Sequence, residues 1–171
     1  MSALEWKKLP STRSYDIYAT RVENGTIISN SQGDSMTQKR NKFDANCAIS
    51  GQESNTVTIP LSAWNTESSG LGYYGVGYTG KLDTKSTICT TDYGIYTAPI
   101  TGYSSTLSYS ASTSNKLTIY VTYQHASSDV NFKDVYRAYT FNSSGLGGVI
   151  YFISSSLRSA YDGMAGVSLT Y

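Results

Sequence analysis

His125 is the only histidine in a chain of 171 residues, and most side-chain catalysis available to this sequence would have to pass through it. Serine and cysteine nucleophiles normally need a histidine base. His125 directly follows a strand-like run, in Gln124-His125-Ala126-Ser127-Ser128. No Gly-x-Ser-x-Gly elbow accompanies it. A triad with a distant Ser or Cys and an Asp stays open, but an exposed turn histidine is the preferred reading. One histidine and two distant cysteines cannot supply a spaced zinc set. Asp129-Val130-Asn131-Phe132-Lys133-Asp134 gathers oxygen ligands but lacks the glycine and terminal glutamate of a calcium loop. Those residue types also build turns by bonding their own backbone, and that reading is preferred. Gly70-x-Gly72-x-x-Gly75 matches the dinucleotide fingerprint in letters, and Asp92 lies 20 residues after Gly72. The fingerprint requires a following helix, and Val76-Gly77-Tyr78-Thr79-Gly80 cannot make one. No metal and no cofactor are expected. The twelve acids form no preferred pair for glycoside hydrolysis. The chain therefore reads as a non-enzyme.

Charge narrows the partners. Thirteen basic residues face twelve acidic ones, for a net charge of +1, and charged residues make up only 15%. A nucleic-acid binder gathers lysines and arginines on one face. Here the sole basic cluster is Lys39-Arg40-Asn41-Lys42, which reads as a solvated loop. No run approaches the ~18 apolar residues of a membrane-spanning helix. The N-terminal segment Met1-Ser2-Ala3-Leu4-Glu5-Trp6-Lys7-Lys8 has no apolar signal-peptide core. Folding in the cytoplasm is the resulting expectation. Cys47 and Cys89 could form one bridge, but buried free thiols are the preferred reading in that compartment.

The elements that must position these residues are strands. Leu117, Ile119, Val121 and Tyr123 fall on one face of a period-two run, with Thr118, Tyr120, Thr122 and Gln124 on the other. Sixteen tyrosines suit such half-buried strands, where the ring packs and the hydroxyl reaches water. Strands are predicted near 15–22, 26–30, 43–49, 56–61, 71–78, 86–91, 93–97, 103–110, 117–124, 134–141, 148–154 and 166–171. Asn24-Gly25 predicts a tight hairpin between the first two. Residues 3–9 read as one or two helical turns ended by Pro10. Residues 31–42 read as a polar loop. Pro60 and Pro99 should sit at strand ends or edges. Alternating glycines in 70–80 should leave one flat face for tyrosine rings from a neighbouring strand to cover. Gly145-Leu146-Gly147-Gly148 reads as a loose turn. Short strands at this spacing predict an all-β fold, an antiparallel β-sandwich or jelly roll. The organisation predicted is an N-terminal arm with a β-hairpin (residues 1–42) and a β-sandwich domain (residues 43–171).

Aromatics are the better lead to a binding surface. Trp64, Tyr73, Tyr74, Tyr93, Tyr96 and Tyr103 lie among Ser, Asn and Gly, a composition that makes adaptable contact surfaces. Leu4, Trp6 and Leu9 could anchor the arm.

Ser54-Asn55-Thr56-Val57-Thr58-Ile59-Pro60-Leu61-Ser62-Ala63-Trp64 with its Gly/Tyr strand resembles bacteriophage virion proteins, as does Asn115-Lys116-Leu117-Thr118-Ile119-Tyr120-Val121-Thr122-Tyr123. Fibre, tail-tip and head-decoration domains share this Ser/Thr/Gly/Tyr-rich β style, and the resemblance covers about residues 43–141. It carries no diagnostic motif and no catalytic residue. It implies a structural or adhesive virion component that folds in the host cytoplasm without a signal peptide and works outside the cell. Its partners would be other virion subunits, in a homo-oligomer such as a trimer, with host-surface glycan as a further contact. A soluble lectin-like carbohydrate-binding module is the alternative, ahead of a β-rich pore-forming toxin and a hydrolase.

Overall fold

The computed structural model describes residues 1–68, 70, 72–142 and 148–171, with only the backbone of Leu61, Met164 and Ala165. Leu71 and residues 145–147 of the expected loose turn lie outside the described residues. In chain order the strands are β1 (Ser2–Glu5), β2 (Tyr15–Glu23), β3 (Thr26–Ile27), β4 (Gly33–Phe43), β5 (Ile49–Val57), β6 (Trp64–Ser68), β7 (Tyr73–Lys81), β8 (Thr87–Thr91), β9 (Gly94–Ala98), β10 (Ile100–Ser108), β11 (Ala111–Ser112), β12 (Thr118–Ala126), β13 (Tyr139–Phe141), β14 (Ile150–Phe152) and β15 (Tyr161–Thr170). Two single-turn helices, α1 (Phe132–Val135) and α2 (Ser155–Arg158), flank β13 and β14.

All described pairings are antiparallel. A four-stranded sheet has the order β1-β10-β4-β5. A seven-stranded sheet runs β11-β3-β7-β2-β12-β15, with β6 also on β7. Between the two sheets lies the main core: Met36, Ile100, Tyr103 and Leu107 from the first meet Tyr18, Tyr78, Val121 and Tyr123 from the second. The fold is the predicted antiparallel β-sandwich. The larger sheet is covered on its other face as well. There Ile17 and Ala19 pack with Val135, Tyr139, Phe141, Val149 and Tyr161. β2 is consequently buried along nearly its whole length.

The flat glycine face exists at Gly75, but a phenylalanine, Phe141, covers it and not the expected tyrosine. A Cβ on Gly75 would come within 2.3 Å of the Phe141 ring, so only glycine lets that ring lie against β7. The core tyrosines depart from the simple expectation that their hydroxyls reach water. Tyr78 donates to Thr106 O at 3.2 Å, Tyr161 to Tyr15 O at 2.6 Å, and Tyr103 to Asp83 O. Buried phenols need a partner, and at these three a backbone carbonyl supplies it.

Four local expectations are corrected. Residues 2–5 are a strand: Ser2↔Leu107 to Glu5↔Ser104 pairing with β10 overrides the helical propensity of Ala-Leu-Glu. Residues 33–43 are a long strand, paired on one side with β10 and on the other with β5. Asn24-Gly25 makes no hairpin. β2 and β3 are both antiparallel to β7, so the chain keeps its direction through Asn24, whose φ is 62°. Residues 1–42 are no separate arm, because β1, β2 and β4 are built into the two sheets.

The cysteines are also corrected. Cys47 and Cys89 form a disulfide. It ties the turn after β4 to β8, and hence to the β8–β9 hairpin, which forms its own two-stranded sheet. Closing a loop across 42 residues of separation contributes about 4 kcal/mol by restricting the unfolded chain.

Candidate functional site

Two places combine exposure with organised chemistry. The first is the β8–β9 hairpin. Register Thr87↔Ala98 to Thr91↔Gly94 leaves a two-residue turn, Asp92-Tyr93. Tyr93 is 95% exposed, Ile95 73%, Ile88 65% and Tyr96 44%. The register puts Ile88 and Ile95 on one face of the hairpin, Tyr96 on the other beside Cys89, and Tyr93 at the tip. The disulfide and the neighbouring β4 hold this hairpin to the frame.

The second place is a cavity of about 630 Å³ under the segment that follows β1. Its lining includes Leu4, Trp6, Leu9, His125, Ser127 and Asp162. β1 and the Trp6 N–H, which donates to Tyr103 O at 3.0 Å, fix the start of this segment. The Trp6 ring stands edge-on to His125 and Tyr123, at 4.9 and 5.8 Å between ring centres.

His125 is corrected from an exposed turn to a buried strand position. It is 7% exposed, and its Nδ1 lies 3.1 Å from both oxygens of Asp16. Asp16, 1% exposed, also accepts from Tyr123 OH at 2.8 Å and Ala126 N at 2.9 Å. A buried carboxylate with this many donors is well compensated. Burial, followed by the nearby Asp16 charge, pushes the Tyr123 hydroxyl well above the ordinary tyrosine range. On the other side, β12–β15 register sets Asp162 opposite His125. Asp16, His125 and Asp162 thus come from three adjacent strands. Ser127 turns its hydroxyl to Ala160 O at 3.1 Å. The arrangement orients an imidazole and offers hydrogen bonds at the cavity floor.

The predicted binding aromatics do not converge. Trp64 packs edge-on against Tyr78 at 5.3 Å. Tyr73 and Tyr74 are half-buried against different clusters. Tyr103 is corrected to a core residue. Only Tyr93 and Tyr96 share an exposed element. Leu4, Trp6 and Leu9, the expected arm anchors, pack on this chain's own core. Among the edge strands, every residue of β5 is exposed, and β15 ends its sheet with Val167 and Leu169 uncovered. Such edges can accept another strand.

The acidic loop is a cap. Asn131 Oδ1 accepts from Lys133 N at 3.1 Å at the start of α1, and Asp129 accepts from Ser14 Oγ at 3.0 Å. Among the described residues no group of three or more His, Cys, Asp or Glu is placed to hold a metal ion. No helix among them is long and apolar enough to cross a membrane. Sequence reasoning missed the Asp16–His125 pair. The available signal was the inner face of β12, whose odd positions reach His125 one step after Tyr123. Comparison with protein families, with curated proteins and with solved structures finds no match.

Proposed function

We propose that this chain is a non-enzymatic structural or adhesive component of a virus particle, a phage fibre, tail or capsid-decoration protein. The observation that carries the reading is the β8–β9 hairpin, with Tyr93, Ile95, Ile88 and Tyr96 presented to solvent on a disulfide-tied base. Rigid aromatic side chains give contact area at low entropic cost. Many copies on one particle would multiply weak contacts. The subunits would associate in a closed homo-oligomer such as a trimer, with other virion subunits and host-surface glycan as further partners. Synthesis and folding in the host cytoplasm would precede release. The Cys47–Cys89 bridge suits the oxidising exterior in which a released particle works.

Mass spectrometry of density-purified particles from a producing culture tests the assignment. The chain should be recovered at a fixed ratio to the major capsid protein. Recovery only from the particle-free supernatant would reject it.

A further inference from the structure

None of the residues lining the cavity at Trp6 belongs to the β8–β9 hairpin. We propose that the cavity is a saccharide site, in which a neutral pyranose packs on Trp6 and hydrogen-bonds to His125 and Asp162. Its volume of about 630 Å³ lies within the usual range for small-molecule sites. Its chemistry is mixed in the way a sugar requires. Leu4, Trp6 and Leu9 offer an apolar wall to a C–H face, while His125 and Asp162 offer polar groups to hydroxyls.

The polar groups are positioned in advance. Asp16 engages His125 Nδ1 at 3.1 Å and is itself held by Tyr123 and Ala126, so the ring cannot turn freely. Nε2 is left with no hydrogen-bond partner among the described residues. A histidine only 7% exposed that lines a cavity with one nitrogen unused is a hydrogen-bonding group set for a ligand. The Asp162 side chain, opposite it in the ladder, likewise makes no described hydrogen bond or ion pair. Adjacent cross-strand positions place their Cβ atoms about 5 Å apart, close enough to reach neighbouring hydroxyls of one ring.

Charge disfavours the rival ligands. Lys7, Lys8 and Asp162 all line the cavity from exposed positions, while Glu5 is paired with Lys39 at 2.9 Å. A phosphate would meet the Asp162 carboxylate. A cation would meet the two lysines. A neutral polyol meets neither penalty. The site deepens the adhesive reading by assigning host glycan its own seat, and it rests on that reading only for the source of the sugar.

The chain has two tryptophans, so Trp64→Phe leaves Trp6 as the sole indole reporter. That variant is titrated with glucose, galactose, mannose and N-acetylglucosamine, and the unmodified chain is applied to a glycan array. At least one sugar should shift Trp6 emission saturably, with a Kd of about 0.1–10 mM. Asp162→Asn, at an exposed position, should weaken that response about tenfold while the melting temperature holds. His125→Gln should weaken it further. No saturable response to any sugar, together with a silent array, overturns the site. A response unchanged in Asp162→Asn, or one given by inorganic phosphate instead, also overturns it. Light scattering of the same samples reads self-association. A protein that self-associates yet ignores every sugar loses the saccharide site and keeps the adhesive reading.

Discussion

Tyr18, Tyr78 and Tyr123 lie side by side between the two sheets, whereas Tyr93 and Tyr96 stand in solvent on β8–β9. The first group sits in a stack of edge-on rings, with Tyr18 at 5.9 Å from Tyr78 and 5.6 Å from Tyr123. Among the described residues, Tyr93 and Tyr96 form no aromatic pair. The same residue type is sealed in the core at one place and left in solvent at another. What decides is whether a second layer covers the strand, not the strand's own pattern. β2 and β12 have a layer on each face, and β8 and β9 form a separate ribbon with little above it.

The largest effect should come from the covered group. Tyr123→Ala removes a ring from the main core and takes one of its donors from the buried Asp16, and should cost about 3–5 kcal/mol in urea denaturation. A loss below about 1 kcal/mol would break the comparison. Opening the bridge with Cys47→Ser/Cys89→Ser should cost about 2–4 kcal/mol and loosen the hairpin, read as faster amide exchange in residues 87–98. Gly75→Ala should cost about 1–3 kcal/mol, because the new methyl overlaps the Phe141 ring, and Phe141→Leu in the same chain should recover part of it. Tyr93→Ser should stay within about 0.5 kcal/mol of the parent.

Alkaline titration sharpens the same contrast. Burial raises the hydroxyls of Tyr18, Tyr103 and Tyr123 above the ordinary tyrosine range. The folded chain therefore holds protons that the unfolded chain releases near about pH 10. Their contribution is fully present below that pH and is lost as pH rises through the folded-state values. Urea midpoints should fall steeply above about pH 10, with the phenolate absorbance of the core rings appearing only on unfolding. A midpoint independent of pH in that range would show that the core rings are wet.

Much of the fold was legible because alternation survives where one face is buried. In β12 Val121 and Tyr123 are buried as their parity predicts, as is Leu117 just before it, while Thr118, Tyr120 and Gln124 on the other face are only partly covered. β4 was illegible because its sequence, GDSMTQKRNKF, is polar on both faces, and only Met36 and Gln38 are buried. Its strand state comes from pairing on both sides, which no local pattern records. The helical reading of residues 3–9 failed for the same reason. Asn24-Gly25 offered a turn, but β3 was captured by β7 and β11. The disulfide was illegible because two cysteines 42 residues apart fit free thiols as well as a bridge. At the site, Trp6 and Tyr93 were singled out as contact residues, one as an anchor and one as a binder. Asp16 was passed over because its partner His125 lies 109 positions away and only the sheet brings them together.

Sedimentation velocity on the parent and on Tyr93→Ser/Ile95→Ser tests the hairpin's role as contact surface most directly. The parent should show concentration-dependent association into a discrete oligomer, and the double variant should sediment as a monomer with an unchanged melting temperature. A parent that remains monomeric at about 100 μM, well above the micromolar range of ordinary specific contacts, would contradict the account. So would a double variant that assembles as the parent does.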